Sequence, residues 1–113
     1  MNRMSIILIV TILAILGCDK PDNEMVIPEC VKEMITDFKN YEACDSGAKL
    51  NEYIFQEKTV YVFNPGACGM DLASPVINSA CTSLGFLGGF IGNTKINGEE
   101  FSNAIFIKTI WEN

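Results

Sequence analysis

The apolar positions of the chain change period several times. From Ile6 to Leu16 they run almost unbroken, eleven residues with only Thr11 polar. From Ile27 they fall at helical spacing: Ile27, Val31, Met34, Ile35 and Phe38 lie on one side, and Glu29, Lys32, Glu33, Asp37 and Lys39 on the other. Side chains three and four apart share a face of an α-helix, so residues 28 to 40 are predicted to form an amphipathic helix, with Pro28 suited to its first turn. In so small a protein such a stripe is expected to cover a sheet rather than to await a partner.

Beyond the helix the pattern turns to β. Leu50 to Phe55 and Thr59 to Phe63 are rich in β-branched and aromatic residues with only Gln56-Glu57-Lys58 between them, which predicts a hairpin. Asn64-Pro65-Gly66 ends the second strand. Residues 66 to 85 lose periodicity and carry Pro75 and two cysteines, so a long connection is expected there. Phe86 to Ile96 predicts a third strand, Asn97-Gly98 a type I′ turn, and Phe101 to Trp111 a fourth strand. In an unbroken fourth strand Ile105, Ile107 and Trp111 share one face, with Phe106, Lys108 and Ile110 on the other. The expected fold is α+β, with one N-terminal amphipathic helix packed on a four-stranded antiparallel sheet and braced by disulfides.

The apolar run at the start has the length of a signal-peptide h-region, follows the positive Arg3, and is too short for a spanning helix, which needs about 20 residues. It ends in Leu13-Ala14-Ile15-Leu16-Gly17-Cys18, which resembles the bacterial lipobox, where a small residue precedes a cysteine that takes a lipid before cleavage. Residues 1–17 are thus read as a lipoprotein signal peptide and Cys18 as the lipid attachment site. Residues 18–27, polar and charged from Asp19 to Glu24 and interrupted by Pro21, are read as a tether, and residues 28–113 as a single domain. Each buried methylene of an acyl chain such as palmitate contributes about 0.8 kcal/mol, so two or three chains hold the protein firmly to a membrane. The expected location is the bacterial cell envelope, with the outer membrane favoured and the domain periplasmic or surface-facing. Acidic residues just after Cys18 resemble a surface-export signal in one bacterial group and an inner-membrane retention signal in others, so the leaflet stays open.

Removing residues 1–17 takes away Arg3 and leaves seven lysines against fourteen acidic residues, a formal charge of −7. No basic run is present to neutralise phosphates, which argues against a nucleic-acid partner. Histidine is absent, and with it the commonest general base and zinc ligand, so the reading is non-enzymatic and without cofactor or metal.

With Cys18 assigned to lipid, Cys30, Cys44, Cys68 and Cys81 remain, an even number in an exported chain, and their spacings of 14, 24 and 13 suit disulfides rather than a zinc or dithiol site. Three pairings are open. Cys30 opens the helix and Cys44 follows its far end, about nine residues at 1.5 Å away, which disfavours Cys30–Cys44 and, with it, Cys68–Cys81. Of the remaining two, Cys30–Cys81 with Cys44–Cys68 is the one to which the reading leans.

The only glycine-rich stretch, Gly85 to Gly92, lacks the lysine and serine of a P-loop and is expected to bend the chain where it enters a strand. Asp45, Asp71, Glu99 and Glu100 read as solvated loop carboxylates, and Tyr41, Tyr53, Tyr61 and Trp111 as packing residues before binding anchors.

Cys30-Val31, Val60-Tyr61-Val62-Phe63-Asn64-Pro65, Cys68-Gly69-Met70-Asp71, Cys81 and Gly88-Gly89-Phe90-Ile91-Gly92 together resemble the pattern of a family of small uncharacterised lipoproteins of Bacteroidota, across roughly residues 29 to 112. The chain departs from that pattern at Ala67-Cys68 and Thr94-Lys95, which weakens an ion-binding role. The resemblance implies no activity. The functional expectation is a lipid-anchored interaction domain that binds an envelope or extracellular protein or a surface component; the rival is a small-ligand or ion module built on the Gly85 to Gly92 loop and Asp71.

Replacing the anchor tests the first part of this reading. Cys18→Ser is expected to leave the precursor uncleaved and unlipidated, as judged by mass spectrometry and detergent partitioning, and a variant that matures to the wild-type size and still partitions with membranes rules the lipobox out.

Overall fold

A computed structural model describes residues 27–69 and 71–113 of the chain. The expected signal peptide, Cys18 and the expected tether up to residue 26 lie outside the described residues. The domain begins with helix α1 (Glu29–Tyr41) and continues through β1 (Lys49–Phe55), β2 (Lys58–Asn64), β3 (Ala73–Asn78), β4 (Ser83–Gly88), β5 (Lys95–Ile96) and β6 (Glu99–Glu100). A 3₁₀ turn (Phe101–Asn103) then leads into β7 (Ile105–Glu112). The main sheet is antiparallel with five strands in the order β4-β3-β2-β1-β7, and β5 and β6 make a separate two-stranded hairpin.

The class is α+β as expected, but the sheet has five strands rather than four and is not a simple meander. The supposed connection from 66 to 85 contains β3 and the start of β4. Pro75 masked β3, since proline removes a ladder donor. It is tolerated because the pairing with β2 covers only Val76 to Asn78, so Pro75 faces β4 alone. The predicted strand from Phe86 to Ile96 is broken by a loop after Gly88. The last strand also starts later than predicted and pairs with β1, not with the segment before it.

Turn chemistry follows the sequence closely. Asn97 and Gly98 both have positive φ, 52° and 83°, as a type I′ turn requires. Gln56 and Glu57 adopt the same geometry, and Phe55 pairs with Lys58, so the first hairpin turns in two residues rather than three.

Alternation along β1 and β2 builds two cores, one on each face. Leu50, Tyr61, Phe63 and Ile77 face α1 and pack with Val31 and Phe38. The helical stripe is the core face it was expected to be: Phe38 meets Phe63 edge-on at 5.2 Å and Trp111 at 5.9 Å. On the opposite face Phe55, Val60, Val62 and Val76 are covered by Ile96 of the small hairpin and by Phe101. Tyr61 is buried on the helix side, and burial is the main reason its phenol pKa is raised; the charge of Glu52 adds to this, and a hydrogen bond with Ser79 opposes it.

The simple alternation expected for the last strand does not hold. Register shifts against β1 insert Ile107 between Phe106 and Lys108, and Ile110 between Thr109 and Trp111. Each bulge adds a residue and resets which face follows. As a result Ile110 and Trp111, neighbours in sequence, both pack against the helix-side core.

Two disulfides, Cys30–Cys81 and Cys44–Cys68, span Cα distances of 6.3 and 5.6 Å. The first ties the start of α1 to the β3–β4 turn. The second ties the segment after α1 to the segment after β2, where the Cys44 N–H also donates to the Pro65 carbonyl at 2.8 Å. Both ends of the helix are thereby fixed to the sheet. The bonds close sequence separations of 51 and 24, which in the chain-entropy description are worth about 4 and about 3.5 kcal/mol. Replacing Cys30 and Cys81 together by alanine is expected to lower the unfolding free energy in urea by about 3–4 kcal/mol, and replacing Cys44 and Cys68 by slightly less. Peptide mapping under non-reducing conditions checks the pairing itself; recovery of Cys68 bonded to Cys81 contradicts it.

Candidate functional site

The strand directions give the domain two distinct ends. The chain enters at Ile27, beside the start of α1, the Cys30–Cys81 bond and the turns at Gln56-Glu57 and Asn97-Gly98. At this near end Gln56 Nε2 donates to Glu99 Oε1 at 3.0 Å, and Asn97 Nδ2 donates to Gln56 Oε1 at 3.3 Å, locking the two turns together. Asn103 Nδ2 also donates to Glu99 Oε2 at 3.0 Å. The hydrogen bonds from Gln56 and then Asn103 hold the exposed Glu99 carboxyl below its ordinary pKa. Glu99 is thus a structural acceptor joining the small hairpin to the first hairpin turn.

The far end carries the C-terminus of α1, the Cys44–Cys68 bond, the end of β7 and the glycine stretch. After β4 the chain forms a closed loop from Gly88 to Asn93. The Gly88 and Asn93 N–H groups each donate to the other residue's carbonyl, at 2.8 and 3.0 Å, Gly92 N–H donates to Gly89 at 3.1 Å, and Gly89 N–H donates to Leu72 at 3.2 Å. Asn93 Nδ2 donates to the Phe86 and Lys95 carbonyls, both at 2.7 Å. Gly88 and Gly89 sit at φ 79°, a region that side chains with a Cβ rarely adopt, and a Cβ on Gly89 would press on that of Ala73 at 3.4 Å.

This scaffold holds two large apolar side chains out in water at its tip: Phe90 is 87% exposed and Ile91 86%. Phe86 and Leu72 beside the loop are exposed as well, and Tyr41 at the end of α1 is 81% exposed. Exposed apolar residues singly are ordinary; adjacent ones on a hydrogen-bonded loop mark a surface suited to an apolar contact.

The chemistry of an anion cradle is not assembled here. Four N–H groups of the loop already donate within it or to Leu72, so they do not converge on a common point. Asp71 does come to the same end, next to Leu72, and both Asp71 and Asp45 are exposed. Among the described residues no group of three or more Cys, Asp or Glu is placed to hold a metal ion. An open groove of about 640 Å³ runs beside the Cys44–Cys68 bond, with Asp45 and Ser46 on its wall. Gly66 lets the two segments of its wall approach: a Cβ there would come within 2.8 Å of the Ser46 carbonyl oxygen.

Of the residues singled out in the sequence, the cysteines and Gly85 to Gly92 are placed on elements with clear geometry. Gly85 lies in β4 opposite Val76, with Ile96 pressed over it, and only Gly88 onward forms the loop. Three of the four aromatic residues read as packing are buried or half-buried, whereas Tyr41 is not. Two residues went unnoticed. Asn93 closes the loop, and Asn113 donates from Nδ2 to the Cys44 carbonyl at 2.6 Å and accepts at Oδ1 from Ala48 N–H at 3.1 Å. An asparagine beside glycine carries a weak turn signal, but nothing in sequence reports a partner 69 residues away.

Comparison with known families matches the chain to a domain of unknown function, DUF6970, over residues 36–113. The chain belongs to this family. The matched region starts inside α1, so it takes in the whole sheet, the loop, Cys44, Cys68 and Cys81, while Cys30 precedes it. No curated protein matches the chain, and neither does any solved structure.

Removing the Asn93 side chain tests how the tip is held. Asn93→Ala deletes two short hydrogen bonds, each worth about 0.5–1.5 kcal/mol net, and is expected to speed hydrogen exchange at Gly88 and Gly89 about tenfold or more. Exchange at Val60 and Val62 is expected to stay at the wild-type rate, and equal acceleration there shows that the loop is not an independent unit.

Proposed function

We propose that this DUF6970 protein is a lipid-anchored envelope lipoprotein of the Bacteroidota type, and that its domain is a non-enzymatic binding module for another envelope or extracellular protein. The observation that carries the reading is the pair Phe90 and Ile91, held almost fully exposed on a loop closed by hydrogen bonds. A preformed apolar tip loses little conformational freedom on binding, which makes it an efficient anchor in a partner's cleft.

The ends of the domain support the same reading. With lipid on Cys18, the tether joins the domain at Ile27 on the near end, and the Phe90–Ile91 tip lies at the other end of the sheet, away from the anchor. A loop meant to enter the anchoring membrane would sit beside the tether. The alternative, a small-ligand or ion module on Gly85 to Gly92, is less well supported because the N–H groups of Gly88, Gly89 and Gly92 are already committed to internal acceptors.

The test is capture from envelope extract with the full chain and with Phe90→Ser/Ile91→Ser. The wild-type chain is expected to retain one protein in stoichiometric amount and the variant to lose it at least tenfold, while its thermal unfolding midpoint stays within about 2 °C, since surface substitutions outside packed regions change stability little. Equal capture by both chains, or no specific protein with either, refutes the proposal.

A further inference from the structure

Strand β7 is an edge of the main sheet, paired with β1 on one side only. At its start three consecutive apolar residues face water: Ile105 is 62% exposed, Phe106 52% and Ile107 43%. Alternation alone cannot expose three in a row, because one face of a covered strand should be buried. Here the bulge at Ile107 resets the faces, and Phe106, although it meets Tyr53 edge-on at 5.7 Å, stays half exposed. Ile105, Phe106 and Ile107 belong to neither core, whereas Ile110 and Trp111 further along β7 lie in the helix-side core.

An exposed apolar edge is a template for another strand, and proteins commonly blunt such edges with charge, proline or bulges; β7 has bulges at Ile107 and Ile110 but little else. Between Glu100 and Glu112 the sequence has no acidic residue and no proline, and Lys108 is the one charged side chain. In a chain of net charge −6 this stretch therefore adds no repulsion between acidic groups of two copies. The triplet Ile105-Phe106-Ile107 also reads the same in both directions. A two-fold axis at Phe106 sets Ile105 against Ile107 of a second copy, Phe106 against itself, and Lys108 against Ala104, so apolar meets apolar and no like charges oppose.

We infer that β7 is a self-association edge, at which two copies of this chain pair antiparallel about Phe106. The buried apolar area is small, roughly a few hundred Å² per copy against about 800 Å² in a standard stable interface. The dimer is therefore weak and concentration-dependent. The bulge at Ile107 keeps the new ladder short, and side-chain packing across the axis holds it. This surface is separate from the Phe90–Ile91 tip, which lies at the far end in the loop that follows the opposite edge strand.

The test is site-specific photo-cross-linking of the full chain in its native membrane, with a benzophenone amino acid at position 107. An adduct of twice the chain mass is expected, with its cross-linked peptide containing residues 104–106 of a second copy. Phe106→Lys is expected to reduce its yield at least tenfold, and Ile105→Lys serves as the second variant should Phe106→Lys misfold. Phe90→Ser/Ile91→Ser is expected to leave the yield unchanged, which separates this inference from the partner-binding proposal. An adduct with a different protein, no adduct, or a yield unaffected by lysine at 105 and 106 overturns it.

Discussion

A thirteen-residue helix lies on the sheet and is joined to it covalently near both ends, and this double clamp is the constraint on which the rest of the molecule depends. A domain of this size buries a smaller fraction of the surface its unfolded chain exposes than a larger one does, and the helix-side core rests on a handful of large side chains centred on Val31, Phe38, Leu50 and Phe63. Without cross-links a short helix gains stability only from that single face. With them, a helix that leaves the sheet stays tethered near both ends and gains less conformational freedom, which favours its return. The Cys44–Cys68 bond also draws together the segments around Gly47 and Gly66, and Asn113 then closes over them by bonding Cys44 and Ala48.

The second face of the sheet is covered differently. The small β5–β6 hairpin is too short to stand alone, and it is held by Ile96 and Phe101 in the second core and by the Gln56–Glu99 and Asn103–Glu99 hydrogen bonds at its rim. This hairpin determines where the chain goes next. Having crossed the second face it returns through a 3₁₀ turn to the free side of β1, which makes β7 an edge strand at one margin while β4 forms the other. The covers protect the centre and leave the margins open. It is at these margins that large apolar side chains stand in water, Phe86 and the Phe90–Ile91 tip with β4, and Ile105 to Ile107 on β7. A small fold with two layers over a five-stranded sheet thus concentrates its contact potential at its edges, and belonging to a family of unknown function adds no chemistry that would place it elsewhere.

Much of the architecture was legible in the sequence because it depends on neighbours. The period of Val31, Met34, Ile35 and Phe38 specifies a one-faced helix. The runs on either side of Gln56-Glu57 specify a hairpin, and Asn97-Gly98 specifies a type I′ turn. The disulfide pairing was approachable for the same reason, since the rise of the helix separates Cys30 from Cys44. The exposed nature of Asp45 and Asp71 was equally readable from their polar surroundings.

What only the tertiary structure decided are relations between distant segments. Strand β3, with Pro75, exists because β2 and β4 pair with it, and no local propensity reports that. The partner of β7 is β1, some fifty residues earlier, and the bulge that turns Ile110 and Trp111 to one face exists only in that pairing. The glycine stretch announced a bend, yet its role as a closed loop rests on Asn93 and on the Leu72 carbonyl across the strand. Local patterns are encoded by side-chain spacing and backbone freedom; strand order, register and exposure of the edges depend on which faces are already covered when the chain returns.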